Sequence, residues 1–349
     1  MKNILDNTRE QLASWLVEHN EKPYKANQLF SWLYKRREFD FEAMSDLSKA
    51  TKQLLSEHFE LNLLNLVDKQ TSSDGTVKYL FKTFDGLLLE TVLMTHDYGY
   101  SICVTSQIGC NMGCTFCASG ILKKQRDLTS GEIVAQLLYA QKDLDKSEKR
   151  ISHIVVMGIG EPFDNYDNVM DFVSIVNDDF GLGIGARHIT ISTCGIVEGI
   201  ERFSDEQTQV NLAISLHGPN DKLRSQLMPI NNRYPLSELM ASLRYYLSKN
   251  NRRLTFEYIL IQGVNDQIEH ADELADLIRD MNAYVNLIPY NPVDEKGYKK
   301  SSKSAQMAFY DRLKKRKIQC TLRKEQGSDI DAACGQLRAK KMKGQDYAN

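Results

Sequence analysis

Cys110, Cys114 and Cys117, in the run Cys110-Asn-Met-Gly-Cys114-Thr-Phe-Cys117, are spaced so that three thiolates of one short segment can converge on a metal centre. No fourth ligand stands nearby. A structural zinc site closes with four protein ligands, so a zinc reading needs a distant partner such as Cys103 or His217. Three cysteines without a fourth suit a [4Fe–4S] cluster better, because one iron then stays open to an exogenous chelator. The chain holds 7 cysteines. An odd number in a mid-sized chain argues against a secreted disulfide framework and for metal, redox or catalytic use.

The elements that would position this run are legible in the periodicity. Residues 1–60 carry apolar positions at helical spacing, Leu12, Trp15 and Leu16, then Leu29, Trp32 and Leu33, then Leu54 and Leu55, and read as a small all-α domain. Residues 61–95 change to strand-like alternation, with Ser72-Ser-Asp-Gly75 and Asp85-Gly86 as turns, and read as a connecting β segment. From 96 to 329 strand and helix patterns alternate. Strands are expected at 100–106, 151–157, 188–193, 210–216, 254–261, 285–289 and 318–323. One intervening helix starts at Thr129 with Glu132 three residues on, a capping-box pattern. Another sets Ile268, Ala271, Leu274, Ala275 and Ile278 on one face. Repeated βα units make a parallel sheet, and six or more suggest a full or partial barrel. Residues 330–349 form a C-terminal segment.

With 349 residues, 42% of them apolar, the chain can build a sizeable core, and its length suggests about two domains. Lys+Arg 44 against Asp+Glu 46 gives a net charge of −2, yet from Lys296 to Asn349 the balance is +10, a possible polyanion surface. Lys35-Arg36-Arg37 and Lys123-Lys124-Gln-Arg126 are smaller basic clusters. No stretch approaches the roughly 20 apolar residues of a membrane helix, and Arg9-Glu10 comes too early for a secretory signal. A cytoplasmic protein without membrane contact is expected.

The cysteine run, directly after a strand, resembles the signature of radical S-adenosylmethionine (radical SAM) enzymes. The resemblance implies an α/β fold: a partial (βα)6-type radical SAM barrel with a small N-terminal all-α domain and a C-terminal extension over the barrel mouth. It implies one [4Fe–4S] cluster on Cys110, Cys114 and Cys117, its open iron chelated by S-adenosyl-L-methionine (SAM). Gly158-Ile-Gly160-Glu161-Pro162, after the next strand, resembles the family's GEP motif, so Gly160 and Glu161 are expected at the methionine ammonium. Ser192, Ser215-Leu216-His217 and Asn291 end later strands, where barrel sites form. They are expected at the ribose, carboxylate or adenine of the same cofactor.

The resemblance narrows to the RlmN-type adenine-carbon-2 RNA methyltransferases, and less closely to the Cfr-type carbon-8 enzymes that give antibiotic resistance. It rests on the N-terminal helices, Glu90-Thr-Val-Leu-Met, Cys103-Val-Thr-Ser-Gln, the cluster loop, Asn286-Leu-Ile-Pro and Gly327-Ser-Asp-Ile-Asp-Ala-Ala-Cys334-Gly-Gln-Leu. Phe163 after the GEP motif and Arg323-Lys-Glu-Gln-Gly327 favour carbon 2. The resemblance implies Cys334 as the cysteine that is methylated and carries the methylene. Cys103 is then the resolving cysteine, finishing in a disulfide with Cys334, and Glu90 is the proton acceptor. A covalent route suits the chemistry, because carbon 2 of adenine is electrophilic and cannot attack the SAM methyl group. Two SAM molecules are used per turnover. The implied substrates are adenosine 2503 of 23S rRNA and an adenosine beside the anticodon of some tRNAs. The implied partners are those RNAs and an electron donor such as flavodoxin or ferredoxin, and the protein is expected to be a monomer. Cys194 and Cys320 match none of the family's functional cysteines and read as core or surface thiols. A rival of another class is an iron–sulfur or zinc RNA-binding factor without turnover.

Overall fold

In this computed structural model residues 2–121, 123–293, 296–327, 329, 330 and 337 are described. Among the described residues ten strands form one sheet: β1 (Asn65–Thr71), β2 (Val77–Lys82), β3 (Leu88–His96), β4 (Gly99–Cys103) and β5 (Ile151–Val156). They continue with β6 (Ile189–Thr193), β7 (Asn211–Ser215), β8 (Leu254–Leu260), β9 (Ala283–Pro289) and β10 (Cys320–Leu322). Each strand lies beside its neighbours in the chain. From β1 to β4 the pairing is antiparallel, and from β4 to β10 it is parallel.

Helices α1 (Arg9–Glu18), α2 (Lys25–Phe30) and α3 (Lys49–His58) precede the sheet. The parallel strands are joined through α4 (Ser130–Asp145), α5 (Tyr166–Asn177), α6 (Val197–Asp205), the pair α7 (Asp221–Leu227) and α8 (Leu236–Lys249), α9 (Ile268–Leu277) and α10 (Lys303–Lys315). A parallel pair needs such a crossover, and its right-handed sense puts every helix on one side of a right-twisted sheet. The other face curls inward: the Arg323 guanidinium, just past β10, lies 3.7 Å from Met94 Sδ on β3. The fold is therefore a partial (βα) barrel, as expected.

Local signals explain the element ends. Thr129 and Glu132 form the expected capping box on α4, which satisfies two otherwise orphaned backbone donors. Apolar runs of β-branched residues such as Ile151-Ser-His-Ile-Val-Val suit strands buried on both faces. Ile154 and Val156 point to the helical layer and are fully buried, while Val155 faces the lumen. The segment expected as a β connector is three antiparallel strands of the same sheet, with β3 pairing β4 from Val92↔Cys103 to His96↔Gly99.

The N-terminal helices share their core with the barrel. Ile4, Leu5, Leu12, Leu16, Phe30 and Tyr34 belong to one continuous apolar cluster with the strands and α4. Two ion pairs reinforce the contact, Arg9 to Asp178 at 2.7 Å and Arg37 to Asp145 at 2.6 Å. At its centre the Asp6 carboxylate accepts from Gly131 N (3.0 Å), while Asp6 O accepts from Ser130 Oγ (2.9 Å). The start of α4 thus binds an acidic side chain where its free N–H groups and dipole favour one. A Cβ at Gly131 would lie 2.5 Å from Asp6 Oδ1 and 2.9 Å from the Leu5 carbonyl carbon. Gly131→Ala is expected to push these segments apart and destabilise the protein by about 1–3 kcal/mol, read as a lower urea midpoint with an unaltered slope.

Candidate active site

Past Cys103 the chain runs through 104–106 into a two-residue strand, Gln107–Ile108, which pairs antiparallel with Arg126–Asp127. The loop closed by this ladder carries Cys110, Cys114 and Cys117, all half-buried. Its tip is pinned from three directions. Thr115 N donates to Leu227 O at the end of α7 (2.9 Å), the Thr115 and Tyr298 hydroxyls meet at 2.9 Å, and Tyr290 OH donates to Phe116 O (3.3 Å). The Phe116 ring stands perpendicular to His217, with centroids 5.0 Å apart.

Burial pushes the Cys110 thiol up to about 12, with Cys117 adding to the rise. Burial raises Cys114 as well, followed by Cys117 and Cys110. The three sulfurs therefore sense one another, and in this setting thiolates need cationic charge to form. Among the described residues no three His, Cys, Asp or Glu side chains are gathered tightly enough to enclose a single ion. A lone zinc requires sulfurs at about 2.3 Å from one point, whereas an iron–sulfur cluster spreads its thiolates over separate irons. The donor set fits a cluster. His217, offered by sequence as a distant zinc ligand, has Nδ1 engaged as acceptor from Ile259 N at 3.2 Å.

The turn after β5 docks directly against this loop. Ile159 O accepts from both Ser106 N (3.0 Å) and Gln107 N (3.1 Å), and Glu161 N donates to Gln107 Oε1 (2.8 Å). Gly160 has φ +111°, and a Cβ there would lie 2.6 Å from that of Gln107, so only glycine fits. Glu161 is buried and bridges strand ends: its carboxylate accepts from Phe163 N (3.0 Å) and from Cys194 N (2.7 Å), the latter just past β6. Burial raises its pKa above the ordinary carboxylate value, and the Cys194 amide works against that rise. A carboxylate has acceptor capacity beyond two bonds.

Ser192 and Ser215 point into the lumen from adjacent strands, their hydroxyls 3.5 Å apart. Leu216 is fully buried, its N–H bonded to Glu257 O and its carbonyl to Gly218 N, so it holds its neighbours in place. His217 is buried at φ +56°. Asn291 stands exposed on the rim of a cavity of about 530 Å³. That cavity is also lined by Cys103, Phe116, Cys117 and Met157, which brings the β4 cysteine and the cluster loop to one space.

Glu90, on the lumen face of β3, is only 3% exposed, and its carboxylate pairs at 2.8 Å with Lys78 on β2, which is 0% exposed. Over the same cavity passes the segment after β10, through Arg323 and Gln326. It is tied to the β1–β2 turn, where Asp74 accepts from Gly327 N (2.8 Å) and Asp329 from Ser73 N (3.0 Å) and the Ser72 hydroxyl. Cys334 lies outside the described residues, and so does the expected pairing with Cys103; no disulfide joins two described cysteines.

Three features escape sequence reading. Lys78 sits in a strand pattern that gives no sign of burial. Cys194, read as a core or surface thiol, supplies the amide that orients Glu161. Arg224 is fully buried beside the same turn, donating to Cys194 O (2.6 Å) and Asn231 Oδ1 (2.8 Å), while its Nε has no partner among the described residues. Cys320 is a core thiol on β10, as expected. The basic clusters are partly consumed internally. Lys124 pairs with Asp127 and Asp164, Arg126 with Asp85 and Glu132, and Arg312 and Arg316 with Asp272. Lys35 and Arg36 remain exposed, Arg36 stacked over Trp32 at 3.9 Å.

Comparison with known proteins agrees with this geometry. Residues 104–278 match the radical SAM superfamily, and residues 2–61 match the ribosomal RNA large subunit methyltransferase N-terminal domain. A protein of Enterococcus faecalis named as a probable dual-specificity RNA methyltransferase RlmN is 56% identical, over 100% of this chain and 99% of its own. A Streptococcus pyogenes protein of the same name is 55% identical, over 98% and 96%. The crystal structure of a radical SAM methyltransferase from Sphaerobacter thermophilus superposes with a TM-score of 0.91 at 42% identity, covering 96% of this chain and 99% of that one.

Burial holds His217 neutral and, with Arg224 nearby, lowers its pKa from 6.5 to about 3. The unfolded chain therefore binds more protons between those values. The stabilising contribution of the neutral ring is complete above about pH 6.5 and is lost as pH falls toward 3, by up to ~1.4 kcal/mol per unit. Urea unfolding of His217→Gln across pH 7 to 4 is expected to show a flatter acid decline than the parent protein.

Proposed function

Since the chain belongs to the RlmN family of radical SAM RNA methyltransferases, we propose that it methylates carbon 2 of adenosine in 23S rRNA and in some tRNAs through a cysteine-borne methyl group. The observation that carries the reading is the shared cavity: Cys103, the cluster loop and the segment leading toward Cys334 all border it. When bound, the [4Fe–4S] cluster supplies the electron that cleaves SAM to a 5′-deoxyadenosyl radical. Cys110, Cys114 and Cys117 hold that cluster. Gly160, Glu161, Ser192, Ser215, Leu216, His217 and Asn291 shape the SAM site, with Glu161 oriented by the Cys194 amide to accept from an ammonium.

Cys334 takes a methyl group from one SAM as a thioether. After hydrogen-atom loss from that methyl, its carbon bonds to carbon 2 of the adenine. The adduct passes one electron to the oxidised flavodoxin- or ferredoxin-type carrier, and the ring hydrogen leaves as a proton to Glu90. The Cys103 thiolate then attacks the Cys334 sulfur, forming the disulfide and freeing the methylene, which takes up a proton and becomes the new methyl group. The target base must be unstacked to reach a barrel lumen. The N-terminal helices contribute phosphate contacts through Lys35 and Arg36, and a flavodoxin- or ferredoxin-type protein delivers electrons.

Mass spectrometry of nucleosides from rRNA incubated with the protein, SAM and a reducing system is expected to find 2-methyladenosine. Finding 8-methyladenosine instead, or no SAM cleavage, overturns the assignment. Alanine at Cys110, Cys114 or Cys117 is expected to remove the brown colour and SAM cleavage together. Cys103→Ala is expected to accumulate a protein–RNA adduct that nuclease collapses on a denaturing gel, whereas Cys334→Ala forms none. Charge reversal at Lys35 and Arg36 together is expected to weaken RNA binding and lower the slope of log affinity against log salt by up to about 2, roughly one for each phosphate that is no longer neutralised.

A further inference from the structure

We infer that Lys78 is a positioning residue for methylation: its buried ammonium holds Glu90 ionised in the lumen wall, ready to accept the proton from the adenine ring. This rests on the proposed role of Glu90 as proton acceptor. β2 and β3 pair with Lys78 opposite Val92 and Leu80 opposite Glu90, so Lys78 and Glu90 are diagonal neighbours on one face. That face is the cavity face, since Thr76, Val92 and Met94 share it and line the cavity. Lys78 Nζ lies 2.8 Å from Glu90 Oε2, with side-chain exposures of 0% and 3%.

Burying two charges this completely carries a desolvation penalty that their attraction alone often fails to offset, and apolar residues of similar volume usually serve a wall as well or better. A carboxyl group buried without a cation takes up a proton. A protonated carboxyl cannot accept another one. Lys78 removes that obstacle from the next strand, where its own side chain is fully buried. On the other side Thr105 Oγ1 donates to the Glu90 carbonyl (2.6 Å), fixing the backbone that carries the carboxylate. Among the described residues, the other charged or titratable groups lining the cavity are Cys103 on β4, Cys117 of the cluster loop, Lys300, and Arg323, Lys324 and Glu325 from the segment after β10. His96 lies further along β3 and faces Gln326 at 3.2 Å.

The test measures methylation of rRNA against pH for full-length Lys78→Met, Lys78→Arg and Glu90→Gln proteins, with cluster absorbance as the folding control. Lys78→Met is expected to lose about 100-fold or more at neutral pH, the scale of a lost general base, and to regain activity as pH rises. The acid limb of its profile moves up by about a unit or more. Lys78→Arg, which keeps the charge, is expected to retain the parent profile. If Lys78→Met fails to hold a cluster, Lys78→Gln, neutral but hydrogen-bonding, carries the same expectation. A parent-like profile in the neutral variants, or a loss that is the same at every pH, overturns the inference. Glu90→Gln separates the two claims. Full methylation by that variant overturns the proton-acceptor role itself, whereas its inactivity beside an unmoved Lys78→Met profile overturns only the part given to Lys78.

Discussion

The contact on which the candidate site depends is the backbone docking of the turn after β5 onto the segment after β4. Ile159 O receives two N–H groups from Ser106 and Gln107, and the Gln107 side chain returns a bond to Glu161 N. These bonds require the two segments to touch at main-chain distance. A Cβ at Gly158 would lie 2.7 Å from Val104 O, as impossible as one at Gly160. Through this contact the cysteine loop and the Gly-Glu turn become one rigid piece, and Glu161 extends it to the end of β6 through Cys194 N. Residues far apart in the chain are thereby positioned by hydrogen bonds in which at least one partner is always a main-chain group. Such bonds hold a constellation within the small tolerances that chemistry demands.

The second organising constraint is charge in a low-dielectric interior. Glu161, Glu90 with Lys78, Arg224 and His217 are all buried within the barrel or at its strand ends. Each is handled differently. Glu161 is satisfied by backbone amides, Glu90 by an ammonium, Arg224 by carbonyl oxygens, and His217 by remaining neutral. A structural core would use apolar residues at these places. Buried polar and charged groups of this kind are a habit of functional sites. On the outside several cations of the basic runs pair with local carboxylates, while others, such as Lys35, Arg36, Lys314 and Lys315, face solvent.

The cysteine spacing, the capping box at Thr129 and the alternation of strand and helix periods were decisive by themselves, because each is a local pattern set by neighbours within a few residues. They determine a parallel βα sheet with a metal-binding loop after its first parallel strand. The strand expected at 151–157 is observed at Ile151–Val156, and the one at 285–289 ends where expected, at Pro289. What only the tertiary structure decided is non-local. Strand alternation assigns Lys78 and Glu90 to a face of their own strands but cannot say that the two faces coincide, because that depends on the register Leu80↔Glu90. No local signal marks Cys194 as the residue whose amide orients Glu161, 33 positions away. Nor does composition separate a basic run that binds its own protein from one free to meet RNA, since that depends on which carboxylates the fold carries into reach. Periodicity reports how a residue relates to its neighbours in the chain, and the site is made of residues that the curl of the sheet brings together.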